Sequence, residues 1–423
     1  MGLHLASVWS LIGNLALGGN SVQTPGRKVL ILLENGSYIA DNRPQREART
    51  LTAAGYNVSV ICPHRKGGPF HETIEGVHVY SFPAPFVASG VLSYLYEYGY
   101  GMIAMFLLAV IVLIREGFDV VHAHSPPDTL FLLAAFFKFL GKQFVYDHRD
   151  LSPELYLTRF GQKQDLLYRS LLWFERCSCR LADCILTTNN SYREIEMSRG
   201  GAPASKIFVV RNGPDEQIHP VAPDPILRRR ASTIIGYVGV IGPQDGVDCL
   251  LRALSHLIHD LKRPDFFCVL IGDGDALGEL KRQAQLLGLE EHVWFTGWIL
   301  DRETLLRYLS TADICVQPDP SNPLNDKSTM IKLMEYMALG KPAVAFDLPE
   351  TRYTGGDTVL YAQPNDELDF ARKIAQLMDD AELRHRLGQL GRQRIREAGF
   401  TWEHAAGNLL QAYASLELES SEG

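Results

Sequence analysis

Short β-branched runs alternate with longer stretches of helical period along most of this chain, which predicts parallel βαβ architecture. Strands are expected at 29–33, 58–61, 77–80, 120–122, 144–146, 185–187 and 208–210. After Arg211 the stretch NGPDEQIHPVAPDP is rich in proline, glycine and acid and lacks periodicity, so it reads as a linker. A second series follows, with strands at 234–238, 267–271, 293–295, 314–316, 343–345 and 359–361 and helical patterns such as 247–260 between them. The pattern predicts an α/β chain of two doubly wound domains facing a cleft, with ligands just beyond the carboxyl ends of the strands. The divisions read as an extension at 1–26, a first domain at 27–212, a linker at 213–230, a second domain at 231–398 and a terminal helical segment at 399–423.

Length supports this division, because 423 residues exceed one ordinary core and suit two of roughly 200 residues each. A formal charge of -8 excludes a general nucleic-acid binder. Seven cysteines occur without CxxC pairs, and Cys177 with Cys179 suits neither a zinc site nor one helix face, so reduced thiols in a cytosolic protein are expected. Residues 1–26 carry an apolar run that lacks the basic start of a secretory signal and is too short and glycine-broken to span a bilayer. A second apolar run, 98–114, lies between Glu97 and Arg115, with Tyr94, Tyr96, Tyr98 and Tyr100 at one end. It falls short of the roughly 20 residues a spanning helix needs, and its tyrosines suit a membrane interface. LFLLAAFFKFL, 130–140, adds another apolar helix. Two readings stay open for this pair: helices resting on a membrane, or core helices of a parallel sheet.

Candidate chemistry collects after the strands. Residues 325–347 read as a helix whose amino end faces an anion, with Ser328 and Thr329 as caps, Lys332 in the first turns and Glu335 on the same face. It stops at Gly340, Lys341 and Pro342 before the next strand. The alternative is a buried helix with ordinary caps. In the first domain, Asn35 lies in a polar loop before a helix that starts near Arg43 or Pro44, His122 and His124 end one strand, and Asp147, His148, Arg149 and Asp150 end the next. His122 and His124 share a strand face with no third ligand in view, so no metal is expected, and they suit acceptor binding or proton handling. In the second domain the turns holding Gly239, Gly242, Gln244 and Asp245, and then Gly272 and Gly274, would let a backbone approach a sugar or phosphate, or are plain tight turns.

Taken together, HAHSPPD, YDHRDLSPE, RNGPD, GYVGVIGPQDGVD, IGDGD, FTGW and KLMEYMALGKPAVAFD resemble the bacterial family 4 (GT4) glycosyltransferases of GT-B fold, from about Lys28 to the end, in the subfamily carrying NDKSTMxKxMEYMALGKPxVAFD. The resemblance implies two Rossmann-like domains, an acceptor on the first, a nucleotide-sugar donor on the second and a terminal helix crossing back. It further implies transfer with retention, no cofactor and no metal, and a UDP-sugar by family habit. The apolar helices of the first domain, with tyrosines at the end of one, point to cell-surface polysaccharide synthesis on a glycan or polyprenyl-linked acceptor. That places the protein in the cytoplasm, with peripheral contact at the inner face of the plasma membrane.

By the same resemblance Glu335 accepts hydrogen bonds from the donor ribose, backbone N–H groups of Met330, Ile331 and Lys332 face the diphosphate, and the Lys332 ammonium steadies the leaving group. His148 or Arg149 matches the first-domain histidine near the transferred sugar, and Asp150 closes that cluster. The chain departs from the family pattern at three places: Val240 and Asp245 stand where many members have arginine and lysine, and Lys327 stands where they have a first glutamate. Lys327 and Lys332 are expected to supply the missing positive charge, and Gln244 or Asp245 to touch the sugar. The departures keep two other classes in view, a GT-B nucleotide-sugar epimerase and a non-catalytic nucleotide-sugar-binding protein.

Overall fold

The computed structural model describes residues 26–64, 67–83, 91–161 and 163–421. The extension expected at 1–26 lies, but for Gly26, outside them. The first sheet holds β1 (Lys28–Leu32), β2 (Asn57–Pro63), β3 (His71–Ile74), β4 (Val77–Phe82), β5 (Val120–His124), β6 (Gln143–His148), β7 (Cys184–Thr187) and β8 (Ile207–Val209), in the order β3-β4-β2-β1-β5-β6-β7-β8. The second holds β9 (Thr233–Val238), β10 (Phe266–Ile271), β11 (Val293–Gly297), β12 (Ile314–Gln317), β13 (Ala343–Phe346) and β14 (Val359–Ala362), in the order β11-β10-β9-β12-β13-β14. All pairings are parallel except that of β3 with β4. Strands covered on both faces read as continuous apolar runs, and β10 is buried along its whole length. The strand missing from the sequence reading is β3, a half-exposed edge whose HETI carries little apolar signal. Its hairpin turns at Glu75 and Gly76, both at positive φ.

Eight helices position the cleft: α1 (Asn42–Ala53), α2 (Val91–Arg115), α3 (Phe131–Phe139), α4 (Ser152–Phe160), α5 (Leu166–Leu181), α6 (Asn190–Ser198), α7 (Ile331–Ala338) and α8 (Trp402–Ser421). The last of these returns to the first lobe, where Trp402, Ala405, Leu409, Ala412 and Tyr413 share one core with Val29, Ile31 and Leu51. The chain therefore crosses between lobes twice, and the crossings touch: Trp402 N–H donates to the Pro214 carbonyl at 3.0 Å. Gly213 packs there so closely on Phe400 that a Cβ would fall 2.0 Å from its carbonyl oxygen.

Polar contacts join the lobes as well. Asn189 donates to the Lys327 carbonyl at 2.8 Å, the Ser191 hydroxyl to Glu350 at 2.6 Å, and Tyr192 and Ser328 share a hydrogen bond of 3.0 Å. Beneath this seam lies a buried ionic network. His148 Nδ1 is 3.0 Å from Glu196, Arg199 binds both Glu175 and Glu154, and the Lys327 ammonium of the second lobe reaches Glu154 at 3.2 Å. Burial disfavours a charge on His148, but Glu196, Glu175 and Asp128 outweigh that and raise it to about 9. A histidine raised on folding lends stability below its unfolded value, about 6.5, and loses it as pH climbs through the folded value. Unfolding free energies of the wild type and His148→Gln should therefore converge between about pH 6.5 and 9, with a slope of up to about 1.4 kcal/mol per pH unit. Urea titrations in which their difference stays constant across that range would show that His148 is neutral when folded.

Candidate active site

The two lobes enclose a cleft of about 370 Å³ lined by Asn35, Asp41, Arg43, Arg46 and Arg149 from the first and Ile331 and Glu335 from the second. An annex of about 140 Å³ shares Asn35, Asp41 and Arg149 and extends to Glu34, His124, Ser125 and Asp150. These first-lobe residues follow the carboxyl ends of β1, β5 and β6, or are set by the start of α1, where Asp41 caps the helix by accepting from Arg43 N–H. Asp41 also accepts from Arg149 at 2.6 Å, and Asn35 donates to the Pro126 carbonyl. Asp150 is exposed at the rim. His148 lies wholly inside, facing Glu196 and stacked on Tyr146, and does not line the cleft.

Arg43 is a brace. Its guanidinium, 2% exposed, binds both oxygens of Asp147 at 2.7 Å and also donates to the Val210 carbonyl and Asn212. Glu47, one turn along α1, lies 3.0 Å from it. The third ligand that the sequence did not reveal beside His122 and His124 is present twice over, because Glu47 and Asp147 complete a buried group within 4.8 Å. The group suits a proton better than a metal ion. The two imidazoles are stacked 13° from parallel, so their in-plane lone pairs run side by side rather than converging. His124 lies 3.0 Å from Asp147 and 3.1 Å from Glu47. Burial opposes its protonation, but those carboxylates prevail and raise it. Burial lowers His122, which instead hydrogen-bonds the Tyr413 hydroxyl of α8 at 2.9 Å. Burial likewise works against charge on Asp147, yet Arg43 and His124 hold it well below the usual carboxylate range.

On the second lobe, α7 begins at Met330 with no side-chain cap. The capping role expected of Ser328 and Thr329 is not what the structure shows. Ser328 donates to the Leu324 carbonyl four residues back and Thr329 to Glu350, so that both hydroxyls are taken up. The N–H groups of Ile331 and Lys332 open the first turn, where a helix has no internal acceptors for them. Glu335, one turn on, is part-buried in the cleft wall, and its carboxylate makes no hydrogen bond among the described residues. Burial pushes it up to about 7, against the pull of Arg46 and Arg302.

Lys332 is deeper than its sequence position implied. Its ammonium binds Asp319 at 2.8 Å, lies 3.9 Å from Asp245 and sits over the Tyr237 ring. Burial works against its charge, but Asp319 and its neighbours keep it firmly protonated. Burial pushes Asp245 up to about 6. The Lys332 side chain also abuts Gly239, 3.3 Å from where a Cβ would stand, so it underlies the glycine turn. That turn packs on the next one: a Cβ on Gly272 would fall 1.8 Å from the Gly239 carbonyl, and one on Gly274 2.6 Å from that of Ile241. Asp245 accepts from Gly242 N–H, and the Gln244 carbonyl accepts from Asn325. Lys327 does not face this cluster, since Glu154 takes its charge, and the expectation that it replaces a missing phosphate cation is corrected accordingly.

Several contributors escaped the sequence reading. Asp319 stands two residues past the end of β12, where the strand-end rule points. Arg46 lies one turn after Arg43. Glu154 and Arg302 left no local signal.

Comparison with known proteins bears on this arrangement. Residues 41–213 match the Glycosyl transferase 4-like domain and residues 223–394 match Glycosyl transferases group 1. Alpha-D-kanosaminyltransferase of Streptomyces kanamyceticus is 26% identical over 226 residues, 51% of this chain and 56% of that protein. Sulfoquinovosyl transferase SQD2 of Arabidopsis thaliana is 25% identical over 400 residues, 90% of this chain and 72% of that one. With the first of these relatives, then, the chain aligns over only about half of the partner's length. Sucrose-phosphate synthase of Thermosynechococcus elongatus superposes with a TM-score of 0.76 at 20% identity, over 93% of this chain and 100% of its own. Anabaena HepE, solved with UDP and glucose, does so with a TM-score of 0.68 at 18% identity, over 92% and 100%. The two matched stretches take in both lobes and the cleft between them, and the chain has the two-domain α/β fold of the GT-B glycosyltransferases to which it is similar.

Proposed function

We propose that this protein transfers a sugar, with retention, from a nucleotide-diphosphate donor to a glycan or polyprenyl-linked acceptor in cell-surface polysaccharide synthesis. The observation that carries the reading is Glu335, an unbonded carboxylate one turn into α7 that looks across the cleft at first-lobe arginines. Such a carboxylate accepts two ribose hydroxyls at once. The N–H groups of Ile331 and Lys332 then meet the diphosphate, where charge gathers as the glycosidic bond breaks. Lys332, beneath the Gly239 turn, adds its field, and Arg46 and Arg149 add theirs from the opposite wall. Asp245 or Gln244 contacts the sugar in place of the glutamate that Lys327 replaces. Asn35, Arg149 and Asp150 receive the acceptor in the annex, and His148 acts from inside by holding the end of β6.

A UDP-sugar is preferred, supported by the likeness to HepE, which was solved with UDP. Retention and independence from cofactor and metal rest on the motif resemblance. Seven cysteines outside any disulfide suit the cytoplasm, and the apolar helices of the first lobe suit contact with the inner face of the membrane. A second reading, donor binding without transfer, draws on Asp245 and Asp319, which surround Lys332 with negative charge near the expected diphosphate. Product analysis by mass spectrometry, with UDP-sugars and membrane extracts as acceptor source, separates the two.

Removing Lys332 as alanine should lower kcat/KM for the donor by about 100- to 1000-fold in initial-rate assays. An unchanged rate would remove Lys332 from the donor site. Glu335 needs its charge to accept both hydroxyls, so UDP affinity by calorimetry should rise as pH passes through about 7. Glu335→Gln should bind UDP weakly and with no such rise; a pH profile matching the wild type would place the ribose elsewhere.

A further inference from the structure

One surface of the first lobe is built against the pattern of a water-facing protein. Helix α2 buries Met105, Leu108, Ala109 and Val112 against the sheet. Its opposite side carries Ile103, Leu107, Ile111 and Ile114, spaced four, four and three residues apart, and Ile114 is 79% exposed. A helix apolar all round belongs inside a protein or against lipid, and less than a third of Tyr98–Arg115 is buried. Helix α3 repeats the arrangement, with Phe137 inside and Leu132, Phe136 and Phe139 outside, the last 89% exposed. Ring contacts join the helices into one face: Phe106 meets Phe136, and Phe131 meets Trp173 of α5. Trp173 is itself more than half exposed.

The charge on this face has the opposite sign to that of the chain. Arg169, Arg176 and Arg180 stand with Trp173 along one exposed stripe of α5, and Arg115 is exposed at the end of α2. No acid lies in Tyr98–Arg115 or in α3, and the one acid of α5, Glu175, is buried on Arg199. Apolar side chains with a tryptophan, edged by arginines, match the boundary between acyl chains and anionic headgroups. We propose that the exposed sides of α2, α3 and α5 form a docking face for an anionic lipid bilayer, with the lobe resting on the membrane rather than crossing it. The buried side of α2 stays on the sheet. Near its amino end, Gly101 lies against Glu34, which lines the annex of the cleft, so the docked face adjoins the acceptor side.

This deepens the acceptor reading of the proposed function, and its test is separable from that reading. Full-length protein is floated with vesicles of phosphatidylcholine alone or with 30% phosphatidylglycerol added, at about 0.1 M salt. Co-flotation should be strong with the anionic vesicles and weak with the neutral ones. It should fall at least about tenfold in Arg169→Glu/Arg176→Glu/Arg180→Glu and in Leu107→Glu/Phe139→Glu. Both variants change exposed positions, and each should keep the thermal shift that UDP gives the wild type. Equal flotation of the wild type and both variants, or none by the wild type, overturns the proposal, as does a dimer in light scattering that Leu107→Glu/Phe139→Glu dissolves. Absence of the UDP shift from the wild type would count against the proposed function and leave the lipid face standing.

Discussion

A single buried guanidinium fixes the geometry on which the cleft depends. Arg43 joins the start of α1, the end of β6 through Asp147, and the segment at Val210 and Asn212 where the chain leaves the first lobe. Taking such a pair out of water is costly, and the cost is recovered only when every donor is aimed at an acceptor. Here the Asp147 interaction is bidentate, Glu47 stands close by, and His124 lies between the two carboxylates, 3.1 Å from Glu47 and 3.0 Å from Asp147. Both strand ends that carry candidate chemistry are thus tied to the departure point of the chain. Arg46, one turn further along α1, reaches the Gly213 carbonyl and Asp215.

Charge has been redistributed relative to the resembled pattern. The lysine missing at Asp245 is matched by Lys332, whose stem passes under the same glycine turn. The glutamate missing at Lys327 is matched by Glu154, a carboxylate on the opposite lobe that meets the replacing lysine. At both positions the reversed charge has an opposite partner nearby in space.

The strands were legible because parallel sheets demand long apolar runs, and every strand inside the sheets announced itself that way. Edge strand β3 did not, since its side chains are half in water. The helix at Glu335 was legible through its glycine stop, whereas its caps were not, because Ser328 bonds back to Leu324 and Thr329 is claimed by Glu350, which is distant along the chain. Glu47 joins His122 and His124 only through folding, as does Glu154 with Lys327. The apolar helices supported two readings in the sequence, and each describes one side of the same helix: α2 is core on one side and open on the other.

The paired interlobe crossings have a mechanical consequence. Two chain segments pressed together at Gly213 and Phe400, and stitched by the Trp402 to Pro214 hydrogen bond, behave as a two-leaf hinge. Bending about the line they share preserves that contact, while torsion of one lobe against the other would shear it. Jaw-like opening would part the seam at Asn189, Ser191 and Tyr192 and swing Glu335 away from Arg149 along one arc, and closure would return both walls of the cleft to the same register.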